Sequence, residues 1–132
     1  MNLRSITLED HPGLILFWKK NYFVNELDSF EKFKIFLSKN PRLSILMEDR
    51  GETVGTILGS FDGRRGYIQK LVVRKDFRNI GIGKKLVKEA VKRLHRAGAL
   101  YIPVRCEENT LGFYEKCGFK KTNQVSLGLN LK

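Results

Sequence analysis

Apolar and polar side chains alternate over residues 3–8, the period of a half-buried strand. Asp10, with Pro12 two residues on, then opens a helix that carries Leu14, Ile15, Phe17 and Trp18. Asp28 followed by Glu31 has the spacing of a capping box, and the helix it predicts has Phe30, Phe33, Phe36 and Leu37 on one face and stops before Pro41. Three strand-like runs come next, at 43–48, 53–61 and 67–73. The turns between them, Asp49-Arg50-Gly51-Glu52 and Asp62-Gly63-Arg64-Arg65-Gly66, are short and contain glycine, so the runs should pair as antiparallel hairpins. A long amphipathic helix then starts at a glycine-rich turn. Its apolar face is Leu86, Val87, Ala90, Val91 and Leu94, its wet face Lys84, Lys85, Lys88, Lys92 and Arg96, and Gly98 is placed to end it. A strand at 100–104, a short helix at 110–116 closed by Gly118, and an alternating strand at 125–131 complete the pattern, with one more short strand near 119–122. The order β-α-α-β-β-β-α-β-α-β predicts an α+β (mixed α/β) domain, not a doubly wound sheet. No linker or repeat divides the 132 residues, so one domain is expected over 1–132.

Charge changes this picture more than composition does. The chain carries a net +11, yet residues 1–61 balance eight basic against eight acidic side chains. Residues 62–96 hold twelve basic against three acidic, a net of +9. Charge focused on the glycine turn and the helix after it points to an anionic partner: a phosphorylated cofactor, a nucleic acid or an acidic surface. A solvated helix face is the alternative. The apolar runs are too short to span a bilayer and the first ten residues do not resemble a signal peptide, so a cytoplasmic protein with no membrane partner is expected. The two cysteines, Cys106 and Cys117, form no metal-binding cluster; no metal is expected, and both are read as structural thiols.

The turn itself is Arg78-Asn79-Ile80-Gly81-Ile82-Gly83, followed by Lys84 and Lys85. Amides at a helix start lack internal partners and the helix dipole favours negative charge there, so a strand, a glycine turn and a helix make an anion site. A dinucleotide fingerprint would need a glycine where Leu86 stands. A Walker loop would need glycine and serine or threonine where Arg78 and Lys85 stand. The pattern Arg/Gln-x-x-Gly-x-Gly/Ala fits throughout.

In this stretch, Tyr67 to Val87, the sequence resembles the central cofactor motif of the GNAT superfamily of N-acetyltransferases. A second block, Asn109-Thr-Leu-Gly-Phe-Tyr-Glu-Lys-Cys-Gly-Phe119, resembles that family's Asn…Phe-Tyr-Glu-Lys-x-Gly-Phe signature. The first 60 residues match by pattern only. The resemblance implies the GNAT fold: a central, mostly antiparallel sheet with a splayed parallel strand pair forming the cofactor cleft, flanked by about four helices. The splayed strands would be 67–73 and 100–104. It implies acetyl-CoA as cosubstrate, with the backbone of Leu71, Val72 and Val73 along the pantetheine arm, and Arg78, Asn79, Ile80, Gly81, Ile82, Gly83 and Lys84 around the pyrophosphate. Arg78 could equally shape the loop. Asn109 would lie near the pantetheine or cap the short helix.

The implied chemistry is direct attack of a primary amine on the thioester through a tetrahedral intermediate. The amide near Val73 would be the oxyanion donor, and Tyr114 the general acid for the leaving thiolate and a further cofactor contact. A phenol near pKa 10 can supply that proton while staying neutral at pH 7. The family's usual glutamate bases are missing: Tyr67 stands at one such position and the stretch Ile102-Pro103-Val104-Arg105 at another. Glu107, Glu108 or a water chain is left to serve. His95 and His11 are poor candidates by position. Trp18, Tyr22 and Tyr67 are candidates for contact with the acceptor, a small-molecule or peptide amine. A non-catalytic acyl-CoA binder and a basic nucleic-acid module are the competing readings. The second lacks an aromatic RNA-binding strand, a recognition helix and a zinc finger, so no nucleic acid is expected. Dimers are common in the family, and the last strands could swap or pair to make a homodimer.

Overall fold

The computed structural model describes residues 1–132. Four strands form one antiparallel sheet in the order β1 (Asn2–Ser5), β2 (Ile45–Asp49), β3 (Glu52–Phe61) and β4 (Gly66–Val73). Four helices flank it: α1 (His11–Asn21), α2 (Phe30–Lys39), α3 (Ile82–Ala97) and α4 (Leu111–Lys116). The predicted α+β class and both hairpins are present.

Alternation along the strands divides the core between two faces. Leu46, Leu58 and Val72 join Leu14, Phe17 and Trp18 of α1 and Phe33 of α2. Ile45, Met47, Ile57 and Ile68 join Ile82, Leu86, Val87, Ala90 and Leu94 of α3. The 3.6-residue spacing in α3 thus becomes its buried stripe, and Gly98 ends the helix at φ +120 as expected. Gly55 lets α3 lie directly on β3, since a Cβ there would stand 2.8 Å from Leu86 Cδ1.

The start of α2 differs from the sequence reading. Its N-cap is Ser29, whose hydroxyl accepts from the amide of Lys32. Asp28 instead closes the preceding 3-10 turn, Glu26–Asp28, by accepting from the amide of Asn25. The predicted Asp28–Glu31 box loses because Asp28 has a stronger partner in Lys70, described below. Segment 100–104 gives the sheet one hydrogen bond, from the amide of Gly66 to the carbonyl of Tyr101 at 3.0 Å, and forms no ladder. Pro103 has no N–H to donate, and Leu100 and Tyr101 project into solvent. Residues 125–131 are not a strand either. Val125, Leu127, Leu129 and Leu131 are all exposed; a period of two builds a strand only where a partner edge meets it. Residues 119–122 likewise form no strand. No helix is long and apolar enough to cross a membrane.

Candidate active site

β4 is the last strand of the sheet, so one of its backbone edges is free of a ladder partner. A bulge decides which peptide groups face that edge. Leu58 pairs with Gln69 and Thr56 with Val72, so β4 uses one residue more than β3 over the same length. The extra residue is Lys70, in the left-handed conformation at φ +53. Beyond it the amide of Arg74 donates to the carbonyl of Val54 at 2.8 Å. Antiparallel alternation then turns the N–H and C=O groups of Leu71 and Val73 toward the open edge, and those of Val72 into the sheet. After the single bond from Gly66 to Tyr101, no backbone hydrogen bond joins β4 to 100–104. A gap in the backbone hydrogen bonding therefore lies beside Leu71 and Val73.

The chain leaves this gap through a 3-10 turn, Lys75–Phe77, into the glycine loop. Arg78 shapes that loop: its Nε donates to the carbonyl of Val73 at 2.9 Å and its Nη2 to the carbonyl of Asn21 at 3.1 Å. Of the two roles open to Arg78, loop shaping is the one its bonds carry. Asn79 and Gly81 both take positive φ, +66 and +91, so the loop turns sharply with Ile80 outermost. The first helical bond runs from the amide of Lys85 to the carbonyl of Gly81, and no side chain caps the start. The amides of Ile82, Gly83 and Lys84 therefore have no acceptor within the helix. A Cβ on Gly81 would meet nothing within 4 Å, so the space above the turn is open. Gly83 answers to packing as well: a Cβ there would lie 3.2 Å from Phe113 Cζ, which is how α4 closes on α3. Lys84 and Lys88, with Val87, Val91 and Cys117, line a groove of about 180 Å³ running from the loop between these helices.

Tyr114 is half-buried on α4, edge-on to Phe113 and Phe119 at centroid distances of 5.1 and 5.7 Å. Burial pushes its phenol up to about 12, with smaller contributions from Cys106, Cys117 and Tyr22. Tyr114 packs against the same core cluster as Leu71 and Val73 of β4. Burial also raises the Cys117 thiol, and both cysteines are free. Asn109 is exposed in the 3-10 turn Glu108–Thr110 and does not cap α4, whose N-cap is Thr110. Glu107 and Glu108 are exposed beside it.

The acceptor candidates separate. Trp18 is fully buried, its indole N–H donating to Thr56 Oγ1 at 3.0 Å, and is a core residue instead of a contact surface. Tyr22 is half-exposed and packs on Phe23 at 4.3 Å. Tyr67 donates its hydroxyl to Asp62 within the β3–β4 hairpin. His11 is buried against Phe30 and Phe33, with Nε2 2.8 Å from the carbonyl of Asp28; His95 is exposed on α3. Two residues that the sequence reading passed over organise the site. Asn21 accepts from the amide of Lys75 at 3.2 Å and ties α1 to the loop, and Lys70 forms the bulge. Neither carried a signal in the sequence.

Residues 4–119 match the model of the Acetyltransferase (GNAT) family. The chain belongs to the GNAT acetyltransferase family. This acetyltransferase is 30% identical to an acetyltransferase of Pectobacterium atrosepticum, over 99% of the chain and 96% of the relative. Its fold matches PaiA N-acetyltransferase from Thermoplasma acidophilum, solved in complex with coenzyme A, at a TM-score of 0.80 and 20% identity, covering 94% of this chain and 92% of that one. It also matches glucosamine-6-phosphate N-acetyltransferase from Arabidopsis thaliana at 0.77 and 19% identity, covering 99% and 98%. The acetyltransferase therefore has the GNAT fold, whatever its acceptor.

Proposed function

We propose that the protein moves the acetyl group of acetyl-CoA to a primary amine by direct attack, with the cosubstrate lying along the open edge of β4. The observation that carries this reading is the conjunction of that edge with the uncapped start of α3 and with the half-buried Tyr114 on α4. Leu71 and Val73 offer peptide groups to the pantetheine arm as an added strand would. The amides around Gly81 to Lys84 receive the pyrophosphate, helped by the charge of Lys84. The Val73 N–H is the oxyanion donor, since the Val73 carbonyl is engaged by Arg78. A neutral amine attacks the thioester carbonyl, the tetrahedral intermediate collapses, the thiolate takes the proton of Tyr114, and the phenolate recovers a proton from solvent. A phenol raised to about 12 holds that proton at every physiological pH. The ammonium's proton leaves through water to solvent or to Glu107 or Glu108. Tyr22 and Tyr67 are the candidates for contact with the acceptor, a small-molecule or peptide amine. The unpaired thiols suit a reducing, cytoplasmic setting. Val125, Leu127, Leu129 and Leu131 give two copies an apolar segment through which to pair as a homodimer.

Incubation of the purified protein with acetyl-CoA and a panel of amines, following thiol release, tests the reading. Amine-dependent release that saturates in both substrates is expected. No release with any amine, together with no rise in melting temperature on adding acetyl-CoA, would overturn it.

A further inference from the structure

Lys70 is the least expected residue in β4. A lysine in the left-handed region is strained and persists only where its surroundings hold it. They hold it from both ends. Its side chain is nine-tenths buried; the ammonium donates to the carbonyl of Phe23 at 2.7 Å and pairs with Asp28 at 3.0 Å, whose side chain is 7% exposed. Three rings surround it: Trp18, Tyr22 and Phe23, with centroids at 5.0, 5.3 and 4.5 Å. At the backbone end, the carbonyl of Lys70 accepts from Thr56 Oγ1 at 3.0 Å, and that hydroxyl accepts from the indole of Trp18. A buried cation with a carboxylate, a carbonyl and three aromatic faces is fully matched, and it is held at the bulged position.

The bulge is what gives Leu71 and Val73 their outward peptide groups. Without the extra residue the alternation would run unbroken from Gln69, and the groups of Leu71 and Val73 would turn into the sheet. We propose that Lys70 is a positioning residue: its caged ammonium locks the β4 bulge, and so holds the peptide edge at Leu71 and Val73 in the register that binds acetyl-CoA. The same clasp fixes the loop between α1 and α2, through Phe23 and Asp28, against that strand. The inference rests on the reading that acetyl-CoA lies along β4.

Calorimetric titration with acetyl-CoA tests it in the wild type, Lys70→Met, Lys70→Gly and Asp28→Asn. Saturable binding by the wild type stands as an independent check on the cofactor reading; no binding there would overturn both. Lys70→Met keeps the stem and the strain but removes the ammonium, and should weaken acetyl-CoA roughly five- to thirtyfold. Lys70→Gly loses more packing yet adopts φ +53 freely, and should recover most of that loss. A purely structural lysine predicts the opposite order, with glycine the weaker binder. Asp28→Asn should weaken binding in the same direction, and the Lys70→Met/Asp28→Asn double variant should bind no worse than Lys70→Met alone. Wild-type affinity in Lys70→Met, or glycine binding as weakly as methionine, would overturn the proposal.

Discussion

Tyr114 sits in its aromatic setting for a reason that reaches the chemistry. Phe113 and Phe119 strip water from the phenol and raise it to about 12, so it stays protonated throughout the physiological range. Tyr114→Phe should lower turnover by about a hundredfold or more while the dissociation constant for acetyl-CoA stays within a few-fold. A turnover close to wild type would remove Tyr114 from the reaction. The same burial sets a stability signature. The unfolded phenol ionises near 10 and the folded one near 12, so the folded state loses stability as pH rises across that window. Tyr114→Phe should flatten the alkaline fall in melting temperature between those limits. Gly81 makes a second test: with φ +91 and open space around it, Gly81→Ala should cost about 1–2 kcal/mol in chemical denaturation through backbone strain alone. The glycine turn was legible because residue type and spacing mark it, whereas Tyr114 was singled out only through the family resemblance of 109–119. Lys70 and Asn21 were not, since one depends on a bulge and the other on a contact 54 residues away in sequence.

Elements were read well where a single period governs them. α3 kept its predicted face because Leu86, Ala90 and Leu94 repeat at the helical spacing and have a sheet to meet. Leu86 is fully buried, and Leu86→Ala should destabilise by about 2–4 kcal/mol in denaturant melts. Segments 100–104 and 125–131 carry strand-like residues but no ladder, because Pro103 interrupts the first and nothing covers the second. Periodicity reports what a segment can bury, not whether a partner edge is present. The junction of β1 with α1 depends on charge. Arg4 grips Asp10 through two bonds of 2.8 Å and Glu48 through one of 3.0 Å. The Arg4 guanidinium holds the Asp10 carboxyl below its ordinary 3.8, against an opposing push from burial. Such a carboxylate stabilises the fold above 3.8, and that stability is lost as pH falls through the depressed value. Asp10→Asn should cost about 1–2 kcal/mol at pH 7, with the gap to wild type closing in melts taken below pH 3.8.

Over the whole molecule, the positive charge sorts into two groups. Lys70, Arg74 and Arg93 are consumed by carboxylates within the chain. Lys84, Lys85, Lys88 and Lys92 are exposed along α3, from the glycine loop outward. The sequence located this charge but could not tell spent cations from free ones, which depends on where strands and helices meet. The free group begins at the loop proposed for the pyrophosphate and runs along α3. On this reading the loop, and not the acyl end alone, holds the cosubstrate. Calorimetric comparison of acetyl-CoA with S-acetylpantetheine, which keeps the thioester and arm but lacks the pyrophosphate and nucleotide, tests that claim most directly. Acetyl-CoA should bind about a hundredfold or more tightly, with an advantage that shrinks as salt is raised; equal affinity for the two compounds would contradict the account.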